Sequence, residues 1–303
     1  MIVKDVLKPG YPFVEAIASV LPICDEFLLS EGYSTDGTYE VVQRLAKLNK
    51  KIKVVRQKWP SKRSISVIGD VTNSIRQMCQ YDYIFSVQAN EIVHEDSLRL
   101  IEALPEICPQ AQTFSFPYLH LYWTYKISEE FRLRFSRNLP EIVATGDAWS
   151  LGTSKDFVRS EAMKSLRRPR QLLRYVGRGV QWTYADSCGN PLSRAICLPK
   201  PIFRYWSLFP RNYIEKCLKH RDMFNLPNFN EVINALEGYV DDAPKFWRLA
   251  SEMFKGPLAF NYPEDLRKTS VGDHPQIMRT LISDSDAKNY YVREELFDII
   301  QGS

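Results

Sequence analysis

The chain has 303 residues, of which 45% are apolar, so it is long enough to bury a substantial core in one large domain or two modest ones. Lys and Arg number 40 against 36 Asp and Glu, and a net charge of +4 is too small to indicate nucleic acid as a partner. The N-terminus lacks the apolar core of a signal peptide, and no run of roughly 18 apolar residues occurs. We therefore expect neither secretion nor a transmembrane segment, and we expect a cytoplasmic protein.

Short β-rich runs alternate with amphipathic segments up to about residue 110. The predicted strands cover residues 1–3, 26–30, 51–55 and 83–87, and the predicted helices cover residues 12–20, 37–48, 67–79 and 97–104. Alternation of this kind predicts the α/β class, with a mostly parallel, Rossmann-like sheet, right-handed crossovers and helices on its flanks.

After Pro109 the pattern changes. Residues 113–123 and 131–137 alternate like strands of an antiparallel or mixed sheet, and the aromatic stretch 203–210, FRYWSLFP, favours core packing. Helical periodicity then covers residues 212–220, 230–237, 243–254, 275–283 and 293–300. We divide the chain into a domain of residues 1–208, with halves 1–108 and 109–208, and a helical region 209–303. The C-terminal helices either pack on the sheet or form an appended subdomain.

Two polar clusters follow predicted strands. Residues 30–38, SEGYSTDGT, place Glu31 at a strand tip before a turn that leads into a helix, and residues 86–91, SVQANE, follow the fourth strand. An ordinary strand-turn-helix connection would account for residues 34–38 without a ligand, but it leaves Glu31 unexplained. Open α/β sheets bind ligands at the carboxyl ends of their strands. The candidate ligand-binding residues are therefore Glu31, Gln88, Asn90 and Glu91.

Several short motifs occur in a recognisable order. The stretch PICDEFLLSEGYSTDGTYEVV is similar to a signature in which an acidic pair precedes Gly-Ser-x-Asp-Gly-Thr, and YDYIFSVQANEIVHEDSL lies where an Asp-x-Asp motif would follow. The other motifs are Tyr11-Pro12, Gln88 to Glu91, Gly146-Asp147-Ala148 and His274-Pro275. In these features the chain resembles the family 2 glycosyltransferases, over residues 12–104 in particular. The resemblance implies a GT-A-like fold and inverting transfer of a hexose from a UDP- or GDP-linked sugar to a saccharide or lipid-linked acceptor.

The resemblance also implies roles for single residues. Glu31 would contact the base or ribose, Gln88 the ribose, and Asn90 the diphosphate or its metal. Inverting transfer needs a base for the acceptor hydroxyl, and Asp147 is the candidate, although it could also be an ordinary turn residue after Gly146. The full set assigned to the nucleotide sugar is Val3, Glu31, Arg63, Gln88, Asn90 and Arg134, and the set assigned to the acceptor is His120 and Trp123. Core packing is the alternative for His120.

The chain departs from the family pattern at the metal site. Gly32 stands where the second acidic residue would be, and Gln88 and Asn90 stand in the Asp-x-Asp position. An uncharged amide oxygen is a poor ligand for a hard divalent cation. Three interpretations follow: Mn²⁺ or Mg²⁺ is held weakly by Asn90, Glu91 and the diphosphate; Arg or Lys residues replace the metal; or the site has lost catalysis.

Basic residues are present for the metal-free interpretation. Arg132 and Arg134 share one face of a predicted strand and Arg137 takes the other, while Lys62 and Arg63 follow the third strand. Each of these could instead be a solvated surface charge. The basic run 167–178 could bind an anionic glycan, a lipid-linked acceptor or a membrane surface.

Two other functions fit the same pattern. A nucleotidyltransferase also binds a nucleotide on a doubly wound sheet, but VKDVLKPGYP is a poor version of its phosphate loop. A non-catalytic nucleotide- or sugar-binding module is favoured by the missing carboxylates. No motif for reading nucleic acid occurs.

Overall fold

The computed structural model describes residues 1–60, 66–148, 150–154, 193–219, 221, 228–253 and 268–303. The strands are β1 Ile2–Val3, β2 Phe27–Glu31, β3 Ile52–Arg56, β4 Tyr83–Phe85, β5 Glu91–Ile92, β6 Thr113–Tyr122, β7 Tyr125–Arg137, β8 Ile142–Thr145, β9 Ser150–Thr153, β10 Ser193–Ala195 and β11 Ile202–Ser207. The helices are α1 Phe13–Val20, α2 Thr38–Leu48, α3 Ser66–Arg76, α4 Glu95–Ile107, α5 Pro210–Lys219, α6 Phe229–Glu237, α7 Ala243–Met253, α8 Gln276–Ser283 and α9 Glu295–Gly302. The predicted combination of helices and strands is confirmed as a mixed α/β fold.

The first three strands form a small parallel sheet in the order β1-β2-β3. Helix α1 connects β1 to β2 and is buried on all sides, which agrees with its almost wholly apolar sequence. Helix α2 connects β2 to β3 and begins after Gly37, whose φ of 92° is easily reached only by glycine. The parallel arrangement predicted for these strands is confirmed.

The larger sheet is mixed. Its strand order is β4-β7-β6-β11-β5, with β10 also paired to β6. The pairs β4–β7, β6–β7 and β5–β11 are antiparallel, while β11 and β10 run parallel to β6. The prediction of a mostly parallel sheet therefore holds only for the small sheet. The short turn between β6 and β7 forces them to be antiparallel, and β4 pairs with β7 rather than continuing the parallel sheet.

The C-terminal helices do not share a single location. Helices α8 and α9 pack on the main core beside α1, where Met278 and Phe297 are buried. Helices α5, α6 and α7 surround a second core in which Trp247 stacks on Tyr122 at 4.5 Å between ring centroids. Part of the C-terminal region therefore packs on α1 and α2, and part encloses the end of the β6–β7 pair.

A cavity of about 810 Å³ separates the two sheets. Met1 and Ile2 line it on the side of β1, and residues 83–85 line it on the side of β4. β1 and β4 are each the end strand of their sheet, so the cavity runs between two strand edges. Among the described residues, no helix has both the length and the apolar character needed to cross a membrane.

Candidate functional site

Polar residues from separate segments line the cavity. Lys4 follows β1, Trp59 follows β3, and Gln88 and Asn90 follow β4. The charged residues that line the cavity are Lys4, Asp25, Glu26, Lys51, Arg76, Asp82, Glu102, Arg134, Asp147, Arg204 and Lys219. Lys4 and Trp59 mark the carboxyl ends of strands in the parallel sheet, which is where open α/β sheets bind ligands. The structure thus brings together Gln88, Asn90, Arg134 and Asp147, four of the residues predicted from sequence.

Asp147 lies in the turn between β8 and β9, and hydrogen bonds hold both of its neighbours, Gly146 and Ala148, in place. Ala148, with a φ of 59° that is unusual for a residue with a side chain, offers its carbonyl oxygen to Arg134 at 2.5 Å and to Gln88 at 3.3 Å. On the other side, the amide of Gly69 in the first turn of α3 donates to the carbonyl oxygen of Gly146 at 3.1 Å. A strained residue persists only where its surroundings determine its conformation, and such residues cluster at functional sites.

Gly69 allows α3 to approach this turn. A Cβ atom at position 69 would lie 2.6 Å from the carbonyl oxygen of Gly146, which is too close for any side chain without movement of the backbone. Helix α3 and the turn are therefore in main-chain contact. Together with Arg134, this contact determines where Asp147 sits at the cavity wall.

Arg134 is held by a buried ion pair with Glu91. Its Nη2 atom lies 2.5 Å from Oε1 of Glu91, and the two side chains are 2% and 1% exposed. The other carboxylate oxygen of Glu91 accepts from the amide of Gln88 at 3.0 Å and the hydroxyl of Tyr118 at 3.3 Å. Burial alone would lower the pKa of Arg134, but the Glu91 carboxylate outweighs it and raises that pKa. Glu91 therefore holds both the Arg134 side chain and the main chain at Gln88 in place.

The residues predicted to hold a metal do not fit Mn²⁺ or Mg²⁺. The Asn90 amide donates to the carbonyl oxygen of Tyr205 at 2.9 Å and is buried, and both carboxylate oxygens of Glu91 already accept hydrogen bonds. Among the described residues, no group of three His, Cys, Asp or Glu side chains is arranged to hold a metal ion. These cations prefer several carboxylate oxygens, whereas the two predicted ligands are a buried amide and one carboxylate that is bound to Arg134.

Two cations that the sequence analysis did not single out, Arg204 and Lys219, also line the cavity. Arg204 is a buried residue of β11, in register with Glu91 on one side and His120 on the other. Burial lowers the pKa of Arg204 to about 10, with Glu91 and Asp147 opposing the shift. In α5, the ammonium group of Lys219 donates to the carbonyl oxygens of Lys4 at 2.6 Å and Asp5 at 2.8 Å.

Glu31 and Val3 lie away from the cavity wall. Val3 is buried and pairs in register with Glu31. The Glu31 carboxylate is fully buried, and it accepts from the amide of Ser34 at 2.5 Å and from Nε of Arg56 at 2.8 Å. Burial alone would raise the pKa of Glu31, but these bonds outweigh it and lower that pKa. Neither residue is among those that line the cavity.

Gly32 explains why the second acidic residue of the family pattern is missing. A Cβ atom at position 32 would lie 2.7 Å from Nε1 of Trp59 and 2.8 Å from Cβ of Lys4. Trp59 and Lys4 therefore occupy the space that an acidic side chain would need. At this position the chain has an aromatic ring and a lysine side chain where the family pattern has a carboxylate.

The two residues predicted for the acceptor lie elsewhere. His120 is fully buried, with Nε2 at 2.7 Å from the Glu130 carboxylate, and burial lowers its pKa. Trp123 lies after β6 with a φ of 48°, and the ammonium group of Lys268 lies 5.6 Å from its ring centroid. Neither lines the cavity. Arg63 and the basic run 167–178 lie outside the described residues.

Among the cavity residues that the sequence analysis did not identify, Arg204 could have been predicted from the sequence, whereas Trp59, Lys4 and Lys219 could not. Arg204 is the only basic residue in the β11 sequence IFRYWS, and an arginine in a buried strand needs compensating partners, so it could have been found. Trp59, Lys4 and Lys219 carry no such signal. They meet at the cavity only because β1, β3 and α5 are brought together by the fold.

No protein-family model matches the sequence, and no curated protein matches it. The resemblance to family 2 glycosyltransferases therefore stands on the short motifs. Four of the residues predicted from sequence line the same cavity.

Proposed function

We propose that the chain is a GT-A-like, inverting glycosyltransferase that uses a nucleotide diphosphate sugar, UDP- or GDP-linked, in the cytoplasm. The observation that carries this proposal is that Gln88, Asn90, Arg134 and Asp147 line one cavity, together with Lys4 and Trp59, which follow strands of the parallel sheet. Gln88, Asn90 and Asp147 lie in segments that the motif resemblance selected, and Arg134 was selected as a basic residue of a predicted strand. Their convergence is independent of that resemblance.

The donor binds beside Trp59, Gln88 and Asn90. The ring of Trp59 provides a face on which a nucleobase can stack. The amides of Gln88 and Asn90 each donate one hydrogen bond within the protein, to Ala148 and Tyr205, and their remaining hydrogen and oxygen atoms contact the ribose and the diphosphate. Arg134 acts indirectly, because its guanidinium group is already bound to Glu91 and to the carbonyl oxygen of Ala148. It fixes the turn that carries Asp147.

Asp147 acts as the general base. Its carboxylate takes the proton of an acceptor hydroxyl while the hydroxyl oxygen attacks the anomeric carbon of the sugar. The bond between that carbon and the diphosphate oxygen breaks, and its electron pair leaves with the nucleoside diphosphate. The products are a glycoside of inverted configuration and a nucleoside diphosphate. The acceptor is a saccharide or a lipid-linked saccharide.

The first test is ligand binding. A thermal-shift series with UDP, GDP, UDP-glucose and GDP-mannose should give stabilisation by one nucleotide class, since a ligand at 100 times its dissociation constant adds about 2.7 kcal/mol to stability. No shift with any of these probes would contradict the proposal. A donor that binds is then tested for release of its nucleoside diphosphate.

The second test is Asp147→Asn, which keeps the shape of the side chain and removes its basicity. We expect donor binding to be unchanged and turnover to fall at least ~10²-fold, the usual scale for loss of a general base. Asp286→Asn, an exposed substitution outside the cavity, is the matched control. Equal turnover by Asp147→Asn and its parent would show that the base lies elsewhere.

A non-catalytic nucleotide- or sugar-binding module is the second candidate, and a specific observation favours it. The Asp-x-Asp position holds Gln88 and Asn90, and the neighbouring carboxylate of Glu91 is bound to Arg134. Such a module would bind a nucleotide sugar without releasing nucleoside diphosphate. A nucleotidyltransferase is distinguished by release of inorganic pyrophosphate from a nucleoside triphosphate.

A further inference from the structure

We infer that His274 is a positioning residue: acting through Tyr205, it holds Asn90 in place at the cavity wall. This inference rests on the proposed nucleotide-sugar site, to which Asn90 belongs, and goes beyond it, because the proposed function gives no role to His274. Neither His274 nor Tyr205 lines the cavity. The His274-Pro275 motif would then act on the site without touching the ligand.

Asn90 is bound to the main chain of β11 at two points. Its carbonyl oxygen accepts from the amide of Tyr205 at 3.0 Å, and its side-chain amide donates to the carbonyl oxygen of Tyr205 at 2.9 Å. Arg204 is in register with Glu91 in the β5–β11 ladder, so Asn90 and Tyr205 form the next pair of that ladder. In this pair the Asn90 side chain replaces one main-chain donor. The position of Asn90 therefore depends on Tyr205.

His274 packs on the face of β11 that is turned away from the cavity. Successive side chains of a strand alternate between the two faces of a sheet, and Arg204 lines the cavity. Phe203 and Tyr205 therefore lie on the other face, where the ring centroid of His274 is 5.6 Å from that of Phe203 and 5.9 Å from that of Tyr205. His274 and Tyr205 are both fully buried. Because water does not reach them, a hydrogen bond lost between them is not replaced.

Hydrogen bonds fix the His274 ring on both sides. Its Nδ1 atom lies 2.7 Å from the Tyr205 hydroxyl, and its Nε2 atom lies 2.6 Å from the Thr269 hydroxyl. The Thr269 hydroxyl donates its one hydrogen to the carbonyl oxygen of Thr124 at 2.9 Å, so it must accept from Nε2–H of His274. Nδ1 is then the unprotonated nitrogen, and it accepts from the Tyr205 hydroxyl.

The groups in this chain of hydrogen bonds keep their roles at neutral pH. Burial lowers the pKa of His274 to about 4; Asp273 opposes that shift and Arg279 adds to it. Burial also holds the pKa of Tyr205 well above its usual value. The imidazole is therefore neutral and the phenol is protonated, so one donates where the other accepts.

The far side of the His274 ring is attached to parts of the fold outside β11. The amide of Thr269 also donates to the carbonyl oxygen of Thr124, at 2.9 Å, so two bonds join this segment to the turn between β6 and β7. In α8, Nε of Arg279 donates to the carbonyl oxygen of His274 at 2.9 Å. Held in this way, His274 fixes the Tyr205 side chain, and Tyr205 fixes Asn90.

The first test measures the contact between Asn90 and Tyr205 by hydrogen exchange in the full chain. The amide of residue 205 reports its bond to the Asn90 carbonyl oxygen, and the amide of Gln57, which donates to Glu31 in the small sheet, is the internal reference. Tyr205→Phe and His274→Phe should each raise exchange at residue 205 about ten-fold relative to Gln57, the scale of one buried hydrogen bond. His274→Gln should stay near the parent, because its amide can both accept from Tyr205 and donate on its other side.

The second test is calorimetric titration of the same variants with UDP and GDP. We expect Tyr205→Phe and His274→Phe each to weaken binding of one nucleotide about five-fold. The double variant should bind no more weakly than His274→Phe, because both changes break the same bond.

Tyr290→Phe is the matched control. It removes another buried hydroxyl, which donates to Glu15 at 2.8 Å, and Tyr290 does not line the cavity. It should lower stability without changing nucleotide affinity or the relative exchange at residue 205. An effect of Tyr290→Phe equal to that of Tyr205→Phe would show that lost stability explains both results, and would overturn the inference.

The two tests separate this inference from the proposed function. Unchanged relative exchange at residue 205 in both Tyr205→Phe and His274→Phe would overturn the inference, whichever nucleotide binds. Faster exchange with unchanged affinity for a nucleotide that binds the parent would overturn it as well. Faster exchange in a protein that binds neither UDP nor GDP would support the positioning of Asn90 by His274 and contradict the glycosyltransferase.

Discussion

Glu31 at the end of β2 and Glu91 at the start of β5 are each paired with an arginine, but the two ion pairs lie in different surroundings. Arg56, the partner of Glu31, is 36% exposed and lies 4.3 and 3.7 Å from the ring centroids of Tyr33 and Tyr39. Arg134, the partner of Glu91, is 2% exposed and lines the cavity. Both are acidic residues beside a strand end, but Glu31 stabilises a surface loop, whereas Glu91 holds a buried arginine in place.

Of the two ion pairs, Glu91–Arg134 is the one connected to the proposed site. The Glu31 carboxylate fixes Ser34 and Arg56, so it shapes the loop after β2. The Glu91 carboxylate fixes Arg134, which in turn binds the carbonyl oxygen of Ala148 beside Asp147. The sequence assigned Glu31 to the nucleotide and Glu91 to a weak metal site, whereas only Glu91 is connected to the turn that carries the proposed base.

The largest expected effect is that of Glu91→Gln. Removing this charge leaves the Arg134 guanidinium buried without its counter-ion, which typically costs about 3–5 kcal/mol. Urea unfolding measures the loss. The double variant Glu91→Met with Arg134→Met should recover part of it, because neither charge then remains buried. A loss for Glu91→Gln no larger than that for Glu31→Gln would contradict the distinction between the two ion pairs.

Glu31→Gln should have a smaller effect, about 1.5–3 kcal/mol at pH 7, the usual size for loss of hydrogen bonds to a charged group. Arg56 can be rehydrated after the change because its side chain already reaches solvent. The folded state lowers the pKa of Glu31, so its contribution is present above the unfolded value of about 4.3 and is lost as pH falls through the folded value. Unfolding curves of parent and variant should therefore converge in acid. A constant difference from pH 7 to pH 2 would count against the ion pair.

The smallest predicted change concerns the support of Asp147 from the side of α3. Gly69→Ala places a methyl group against the Gly146 carbonyl oxygen, and overpacking of this kind costs about 1–3 kcal/mol. We also expect lower turnover, because the turn must move. Gly302→Ala, where a Cβ atom would meet nothing within 4 Å, should change stability by less than about 0.5 kcal/mol. If both alanine variants behave like the parent, the contact between α3 and the turn has no role in placing Asp147.

Local periodicity located most of the regular elements. Helices α1 and α2 and strands β2 and β3 lie within a residue or two of their predicted positions, because an apolar stripe or a short apolar run is visible in the sequence itself. Helix α4 runs to Ile107, past the predicted end at residue 104, and includes Pro105. Strand β7 begins at Tyr125 rather than near residue 131, because pairing with β6 extends it through polar residues.

The candidate site, like the fold, was predictable from the sequence only in part. The sequence by itself determined the α/β class, the parallel β1-β2-β3 sheet and the polar segments around Gln88 and Asp147, because periodicity and turn chemistry are local properties of the chain. Only the tertiary structure decided that β4 pairs with β7 and that Glu31 and His120 are enclosed. It also decided that Lys4, Arg204 and Lys219 line the cavity beside Asp147. Which strand edges meet, and which charges then share a cavity, depends on contacts between residues far apart in sequence, and no local pattern encodes them.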